Sequence, residues 1–167
     1  GGLRTVLERF ARLGGRVVDS SPMYGRSEEV LGRLAAESQG HDTLFFATKV
    51  WTSGRAAGIS QMDDSMRKMR VRRTDLMQVH NLVDVETHLR TLAEWKAAGR
   101  VRYIGITHYQ TSAFDALEKL IERGTNVFFH FNYSLHVRNA ERRLLPACAA
   151  NKVGTLINRP FESGEMF

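Results

Sequence analysis

The chain has 167 residues, of which 43% are hydrophobic and 25% are charged, so it can bury the core of one ordinary globular domain. Its apolar runs stay well below the ~18 residues of a membrane-spanning helix, which argues against a membrane protein. The single cysteine, Cys148, excludes an internal disulfide and is compatible with a reducing compartment, so we expect a cytoplasmic protein.

The chain is basic, with 24 Lys and Arg against 18 Asp and Glu, a net charge of +6. Five cations cluster in one short stretch: Arg67, Lys68, Arg70, Arg72 and Arg73. No aromatic residue is interleaved with them and no nucleic-acid motif accompanies them, so a solvated helix end is favoured over a nucleic-acid site. A positive field also favours an anionic ligand such as a phosphorylated cofactor.

The first predicted element is an amphipathic helix over residues 3–13, which Gly14 and Gly15 end. Its apolar stripe consists of Leu3, Val6, Leu7, Phe10 and Leu13. We expect this stripe to pack against the rest of the molecule, because charged residues occupy the opposite side of the helix.

A short strand, residues 17–19, ends in a carboxylate, and a turn leads from it into the next helix. Ser27 is expected to be the N-cap of that helix. Asp19 and Tyr24 therefore leave the end of a strand together, where their side chains can face a cleft.

Five further strands are predicted to alternate with helices. The strands cover residues 44–49, 76–80, 101–106, 127–131 and 153–157. Helices are expected near 59–69, 85–98, 112–123 and 139–151, with a methionine stripe in the core at Met62, Met66 and Met69. Asp84 is the expected cap of the second of these helices, and Thr111 or Ser112 of the third.

A polar residue stands at the end of every predicted strand: Asp19, Lys49, His80, Thr107, Asn132 and Asn158. A doubly wound sheet gathers its ligand groups at one switch point, whereas a (β/α)8 barrel presents them at every strand end. The pattern thus favours a parallel (β/α)8 TIM barrel. Such barrels typically need about 250 residues, and about six of eight strands are present here. We therefore expect residues 1–167 to be one barrel domain truncated at both ends.

Three of these residues, together with Tyr24, could form a proton-donor site for a carbonyl group that is being reduced. A phenol such as that of Tyr24 is a poor proton donor near neutral pH unless a nearby ammonium favours its ionised form. Lys49 could be that ammonium, Asp19 could keep it charged, and His80 could hydrogen-bond the substrate oxygen. No nucleophilic Ser or Cys stands at a strand end, which argues against acyl transfer.

The same residues resemble motifs of the aldo-keto reductase family. The stretch Asp19-Ser-Ser-Pro-Met-Tyr24-Gly-Arg-Ser-Glu28 is similar to the family's Asp-(Ser/Thr)-Ala-x-x-Tyr-Gly-x-Ser-Glu. Thr48-Lys49 is similar to its Thr-Lys, and Asp75-Leu-Met-Gln-Val-His80 to its Asp-Leu-x-x-x-His. This resemblance implies Tyr24 as general acid, Lys49 and Asp19 as the groups that tune it, and His80 as the residue that orients the carbonyl.

The resemblance also implies NADPH as hydride donor, with NADH possible, bound without a Rossmann motif. The implied cofactor contacts are Asp19, Thr107, His108, His130, Asn158, Arg159 and Pro160. Where many relatives have Ser-Asn against the nicotinamide carboxamide, this chain has Thr107-His108, and where they have Gln it has His130. The substrate would be a small-molecule carbonyl compound, with Trp51 and Asn81 in its pocket.

Two other functions stay open at this point. A metal-dependent hydrolase could use Asp19, His80, His108 and His130 as ligands, although Lys49 and Tyr24 stand where it would need carboxylates. A cofactor-binding sensor or regulatory barrel would keep the cofactor site but show negligible turnover. The oligomeric state is open as well.

Overall fold

The computed structural model describes residues 2–38, 41–125 and 127–165, in which helices and parallel strands alternate. The strands are β1 (Val17–Asp19), β2 (Phe45–Val50), β3 (Thr74–His80), β4 (Val101–His108), β5 (Phe128–Asn132) and β6 (Thr155–Asn158). The helices are α1 (Gly2–Arg12), α2 (Ser27–Ala36), α3 (Arg55–Met69), α4 (Val85–Ala97), α5 (Phe114–Glu122) and α6 (Leu144–Ala150). The predicted alternation of strand and helix is confirmed.

The chain divides into two compact units, of which the first comprises Gly1–Val79 and Val83–Ile104. Within it the strand order is β1-β2-β3-β4. Asp19 stands opposite Ala47, and Lys49 stands opposite Gln78 in the parallel register. Strand β2 is buried over nearly its whole length, as expected for an apolar run inside a parallel sheet.

The core of the first unit includes a cluster formed by Ala35, Leu44, Phe46 and Met69. The methionine stripe of α3 is buried, so its prediction as core is confirmed. Helices α2 and α3 meet closely at Gly32, where an added Cβ would lie 2.3 Å from the carbonyl oxygen of Lys68. A glycine is required at this crossing because any side chain would meet backbone.

The second unit comprises His80–Leu82 and Gly105–Phe167, with the strand order β4-β5-β6. Thr107 stands opposite His130, and Asn132 opposite Asn158. Its core contains the buried side chains Leu117, Leu120, Ile121, Phe129, Phe131, Leu144 and Cys148.

The stripe of α1 departs from its prediction. No residue of this helix is buried, and Leu3, Val6 and Leu13 are each more than 60% exposed. From α1, Leu7 packs against the core cluster. The stripe is wider than the contact that α1 makes, and Leu3, Val6, Leu7 and Phe10 line a groove of about 570 Å³ together with residues of β1 and α2.

Two of the predicted helix caps are wrong, and the third occupies the N-cap position without the expected side-chain hydrogen bond. Ser27 is the first residue of α2 and the N-cap is Arg26. The Ser27 hydroxyl accepts a hydrogen bond from the Ser20 hydroxyl at 3.0 Å. Thr111 and Ser112 form a 3-10 turn before α5. Asp84 is the N-cap of α4 but makes no side-chain bond to that helix's first backbone N–H groups.

No helix in the described ranges has both the length and the apolar composition needed to cross a bilayer.

Candidate active site

A buried lysine forms the centre of the first unit's strand-end cluster. Lys49 is 1% exposed, near the end of β2. Its ammonium donates to Asp19 Oδ2 at 2.5 Å and to the carbonyl oxygen of Ser20 at 2.7 Å. The parallel register of β1 and β2 brings these groups together, because both strands end at the same edge of the sheet. The predicted Asp19–Lys49 pair is confirmed as a contact.

Asp19 is held at both carboxylate oxygens. While Oδ2 accepts from Lys49, Oδ1 accepts from the side-chain amide of Gln78 at 2.9 Å. Gln78 is fully buried on β3, opposite Lys49 in the register. The sequence reasoning missed this residue, although its position two residues before His80 placed it on the same face of β3.

A second carboxylate lies buried nearby. Glu28 is 2% exposed and accepts a hydrogen bond from the Thr48 hydroxyl at 2.5 Å. Its position in the first turn of α2 also suits the helix dipole. Glu28 belongs to the motif stretch, but the sequence alone indicated no role for it; its carboxylate acts on the charge of Lys49.

Burial and neighbouring charges act on Lys49 in opposite directions. Burial disfavours the ammonium and lowers the pKa of Lys49 below its ordinary value of 10.5, and this is the dominant effect. The carboxylates of Asp19 and Glu28 oppose it by favouring the charged form. The two acids therefore favour the ammonium form that burial disfavours.

Tyr24 lies beside this pair and faces solvent. Its side chain is 47% exposed, and the Lys49 ammonium lies 5.1 Å from its ring centroid. The turn that carries Tyr24 is closed by hydrogen bonds from Tyr24 N–H to the Ser21 carbonyl and from Ser27 N–H to the Tyr24 carbonyl. Gly25, with φ of 59°, lets the chain turn back into α2. An accessible phenol next to a buried ammonium can act as a proton donor.

Trp51, predicted in the substrate pocket, directly follows β2 in the first unit. Its side chain is 43% exposed, so it can contact a ligand.

The second unit holds the remaining predicted residues. His80 is buried at the end of β3, and Thr107 and His130 are buried neighbours on β4 and β5. Asn81 donates its backbone N–H to the Thr107 carbonyl at 2.8 Å. The structure thus groups Asp19, Tyr24 and Lys49 in one unit and places His80 with the predicted cofactor residues in the other.

Three asparagines in the described part of the second unit have a buried side-chain oxygen without a hydrogen bond. The side-chain oxygens of Asn81, Asn132 and Asn158 have no partner among the residues that the structure describes. Buried polar atoms are normally paired, so these oxygens are suited to accept hydrogen bonds from a ligand. In the sequence, Asn132 stands out only because it follows a predicted strand, and this position is the one signal that could have indicated a binding role.

In the second unit Arg159 and Pro160 are exposed and His108 is half-buried. The His108 ring accepts a hydrogen bond at Nδ1 from the Gln110 N–H and stacks on Tyr109. Burial lowers the pKa of His108, which favours the neutral ring. Arg159 lies 4.9 Å from the centroid of Tyr109, and Pro160 is exposed. Tyr109 thus connects His108 to Arg159, a role that no sequence motif indicated.

Within the described part of the chain, no three His, Cys, Asp or Glu side chains lie close enough to hold a metal ion. The hydrolase alternative with Asp19, His80, His108 and His130 as ligands therefore has no such cluster in its favour.

Comparison with known sequences agrees with this geometry. Residues 3–166 match the model of the Aldo/keto reductase family. The chain is 28% identical over 156 residues to aldo-keto reductase YhdN of Bacillus subtilis, an alignment covering 84% of this chain and 46% of that protein. It is 31% identical over 115 residues to methylglyoxal reductase DkgB of Salmonella typhi, covering 64% and 41%. The chain thus spans about half the length of the curated relatives it matches.

Solved structures agree in fold. An aldo/keto reductase from Klebsiella pneumoniae, crystallised with NADP and acetate, superimposes with a TM-score of 0.82 at 23% identity. The superposition covers 98% of this chain and 59% of that one. An aldo-keto reductase from Bacillus halodurans gives a TM-score of 0.83 at 21% identity, covering 96% and 58%. The predicted fold, an incomplete parallel (β/α)8 barrel, is confirmed.

Proposed function

Because the chain belongs to the aldo/keto reductase family, we propose that it reduces an aldehyde or ketone to an alcohol with NADPH as the hydride donor. One observation carries this proposal. The buried Lys49 ammonium is held by Asp19 and lies next to the exposed ring of Tyr24. Such a group suits proton transfer to a carbonyl oxygen better than hydrolysis, which would require a nucleophile or a metal-bound water.

In this proposal Tyr24 gives its proton to the oxygen of the carbonyl substrate. Lys49 stabilises the negative charge that the phenol oxygen then gains, because a cation in a buried site acts strongly on a neighbouring charge. Asp19 and Gln78 keep the ammonium in place, and His80 donates a hydrogen bond to the substrate oxygen.

Polar atoms of the second unit are suited to bind the proposed nicotinamide cofactor. The unpaired oxygens of Asn81, Asn132 and Asn158 fit the N–H groups of a carboxamide and the hydroxyl groups of a ribose. Thr107 on β4 and His130 on β5 supply further polar atoms, and the half-buried His108 and the exposed Arg159 and Pro160 complete the proposed set of cofactor contacts. When bound, the cofactor supplies the hydride that reduces the carbonyl carbon. Several relatives are named methylglyoxal reductases, which makes methylglyoxal the first substrate to test.

The test is a fluorescence titration of the protein with NADPH and NADH, followed by cofactor consumption with methylglyoxal and a panel of aldehydes and ketones. We expect saturable NADPH binding and turnover of at least one carbonyl compound. Binding without turnover would favour the regulatory barrel instead. Absence of binding to either cofactor would contradict the proposal.

A further inference from the structure

The backbone of the loop that carries Trp51 is held at three residues by side chains of α3, of α4 and of the N-cap of α4. Gln61 makes two of these contacts, and both are to the backbone of Trp51. Its side-chain oxygen accepts from the Trp51 N–H at 2.6 Å, and its side-chain nitrogen donates to the Trp51 carbonyl at 3.2 Å. Gln61 thus replaces, for one residue, the ladder partner that a neighbouring strand would supply.

His88 makes the next contact. Its ring is fully buried, and Nε2 lies 2.7 Å from the Thr52 carbonyl oxygen, so Nε2 carries the proton and donates it. Gly58 on α3 makes room for the ring, because a Cβ there would lie 2.5 Å from His88 Cε1. The buried Nδ1 atom has no partner among the described residues. A buried ring with one orphaned nitrogen costs free energy, which its bond to the loop offsets.

Asp84 makes the last contact. Its carboxylate accepts from the Gly54 N–H at 2.7 Å, and this bond is the main reason that the pKa of Asp84 is lowered. Gly54 has φ of 86°, a conformation that favours glycine. The two helices that provide the anchors are themselves joined by a two-pronged ion pair between Arg55 and Glu94. The side chains that hold the loop are therefore carried by two helices that are joined to each other.

We propose that Gln61, His88 and Asp84 are positioning residues that hold Trp51 as a fixed apolar wall for the substituent of the carbonyl substrate. The proposal rests on the proposed reductase function. The three side chains bind only backbone atoms of the loop, at Trp51, Thr52 and Gly54. The indole of Trp51 is therefore left with a large exposed face. Holding a large apolar surface rigid before a ligand arrives reduces the ordering cost of binding. Gln61, His88 and Asp84 together form a clamp on the backbone of the Trp51 loop. This clamp favours substrates with an aromatic or bulky apolar substituent over substrates with a small one.

The positioning can be tested without any turnover, since the chain has only two tryptophans. In a Trp95→Phe background, Trp51 is the sole tryptophan, and Gln61→Met removes both of its bonds to the loop while keeping side-chain size. We expect stronger acrylamide quenching and lower anisotropy of Trp51, with unchanged far-ultraviolet circular dichroism. Ser60→Ala, at the neighbouring exposed position of α3, is the matched control. Unchanged quenching and anisotropy in Gln61→Met would overturn the clamp.

The selectivity is tested by comparing benzaldehyde with methylglyoxal. Gln61→Met should raise KM for benzaldehyde about tenfold and KM for methylglyoxal less than about twofold, with kcat nearly unchanged. Gln61→Glu, which keeps only the acceptor for the Trp51 N–H, should fall between the wild type and Gln61→Met. Equal changes in KM for both substrates would overturn the selectivity role. If the wild type consumed no carbonyl compound, the reductase proposal would fail, and the fluorescence result would still decide whether the clamp exists.

Discussion

The strand ends of the two units differ in how far their polar groups are paired. In the first unit Asp19 hydrogen-bonds both Lys49 and Gln78, and Glu28 hydrogen-bonds Thr48. In the second unit the buried oxygens of the three asparagines at strand ends have no partner among the described residues. A paired network is rigid before any ligand arrives, whereas an unpaired set gains stability only when a ligand supplies the missing donors.

This difference suggests a division of labour between chemistry and binding. Groups that must act on charge in a transition state work best when their orientation is fixed in advance. Groups that recognise a cofactor contribute affinity by leaving hydrogen bonds to be made on binding. Substitutions in the first unit should therefore change rate and stability, and substitutions at the asparagines should change cofactor affinity.

The largest expected effect is on the proton donor. Tyr24→Phe should lower kcat for carbonyl reduction about a thousandfold, because general acid catalysis is lost. The dissociation constant for NADPH should stay within about twofold, since the phenol acts on the substrate. Stopped-flow kinetics and fluorescence titration measure the two quantities. Tyr103→Phe, a phenol that stacks on Phe45, is the control. Full activity in Tyr24→Phe would remove Tyr24 from the mechanism.

Removing the ammonium should have the next largest effect. Lys49→Met should lower kcat about a hundredfold, the cost typical of losing one electrostatic contact to the transition state. Lys68→Met provides the control, because Lys68 pairs with Asp64 on α3 at 2.6 Å and is more exposed. Steady-state rates across pH measure the effect. A wild-type rate and pH profile in Lys49→Met would contradict the role of its charge.

A matched pair of apolar substitutions tests the contrast between the units directly. Gln78→Met should lower the free energy of unfolding by about 1–2 kcal/mol, because Asp19 loses a buried partner. Asn132→Leu should change it by less than about 1 kcal/mol, since its oxygen is already unpaired, but should weaken NADPH binding about tenfold. Urea denaturation and NADPH titration of both variants give the answer. A loss of stability in Asn132→Leu together with weaker NADPH binding in Gln78→Met would contradict the proposed division between chemistry and binding.

The parts of the site that sequence reasoning found are those that a strand pattern encodes. Asp19 and Lys49 each end an apolar run, and adjacent parallel strands bring such residues together whatever the intervening helix contains. Tyr24 follows from the turn after β1, because a turn leaving a strand end faces the same edge. These positions depend on local periodicity, which a single sequence displays.

The parts that sequence reasoning missed depend on partners distant in the chain. Gln78 is an ordinary polar residue of a strand until Asp19, 59 residues earlier, lies against it. Ser27 looked like a helix cap, but Ser20 offers its hydroxyl a competing hydrogen bond. The stripe of α1 predicted burial, whereas the extent of that burial depends on which elements α1 meets.

The smallest expected effect separates the two influences on Lys49. With only five lysines in the chain, NMR of labelled lysine can follow each one through a pH titration. Lys49 should titrate below the ordinary value of 10.5 because burial lowers its pKa, and Lys68 should titrate above it because Asp64 hydrogen-bonds its ammonium. Asp19→Asn removes a charge that raises the pKa of Lys49, so Lys49 should lose its proton at still lower pH while Lys68 is unchanged. Since the unfolded chain binds this proton more tightly than the folded one, the contribution of Lys49 to the free energy of unfolding should increase as pH rises toward 10.5. A higher pKa of Lys49 in Asp19→Asn would show that Asp19 does not stabilise the ammonium. The proposed electrostatic role of Asp19 in the first unit would then be wrong.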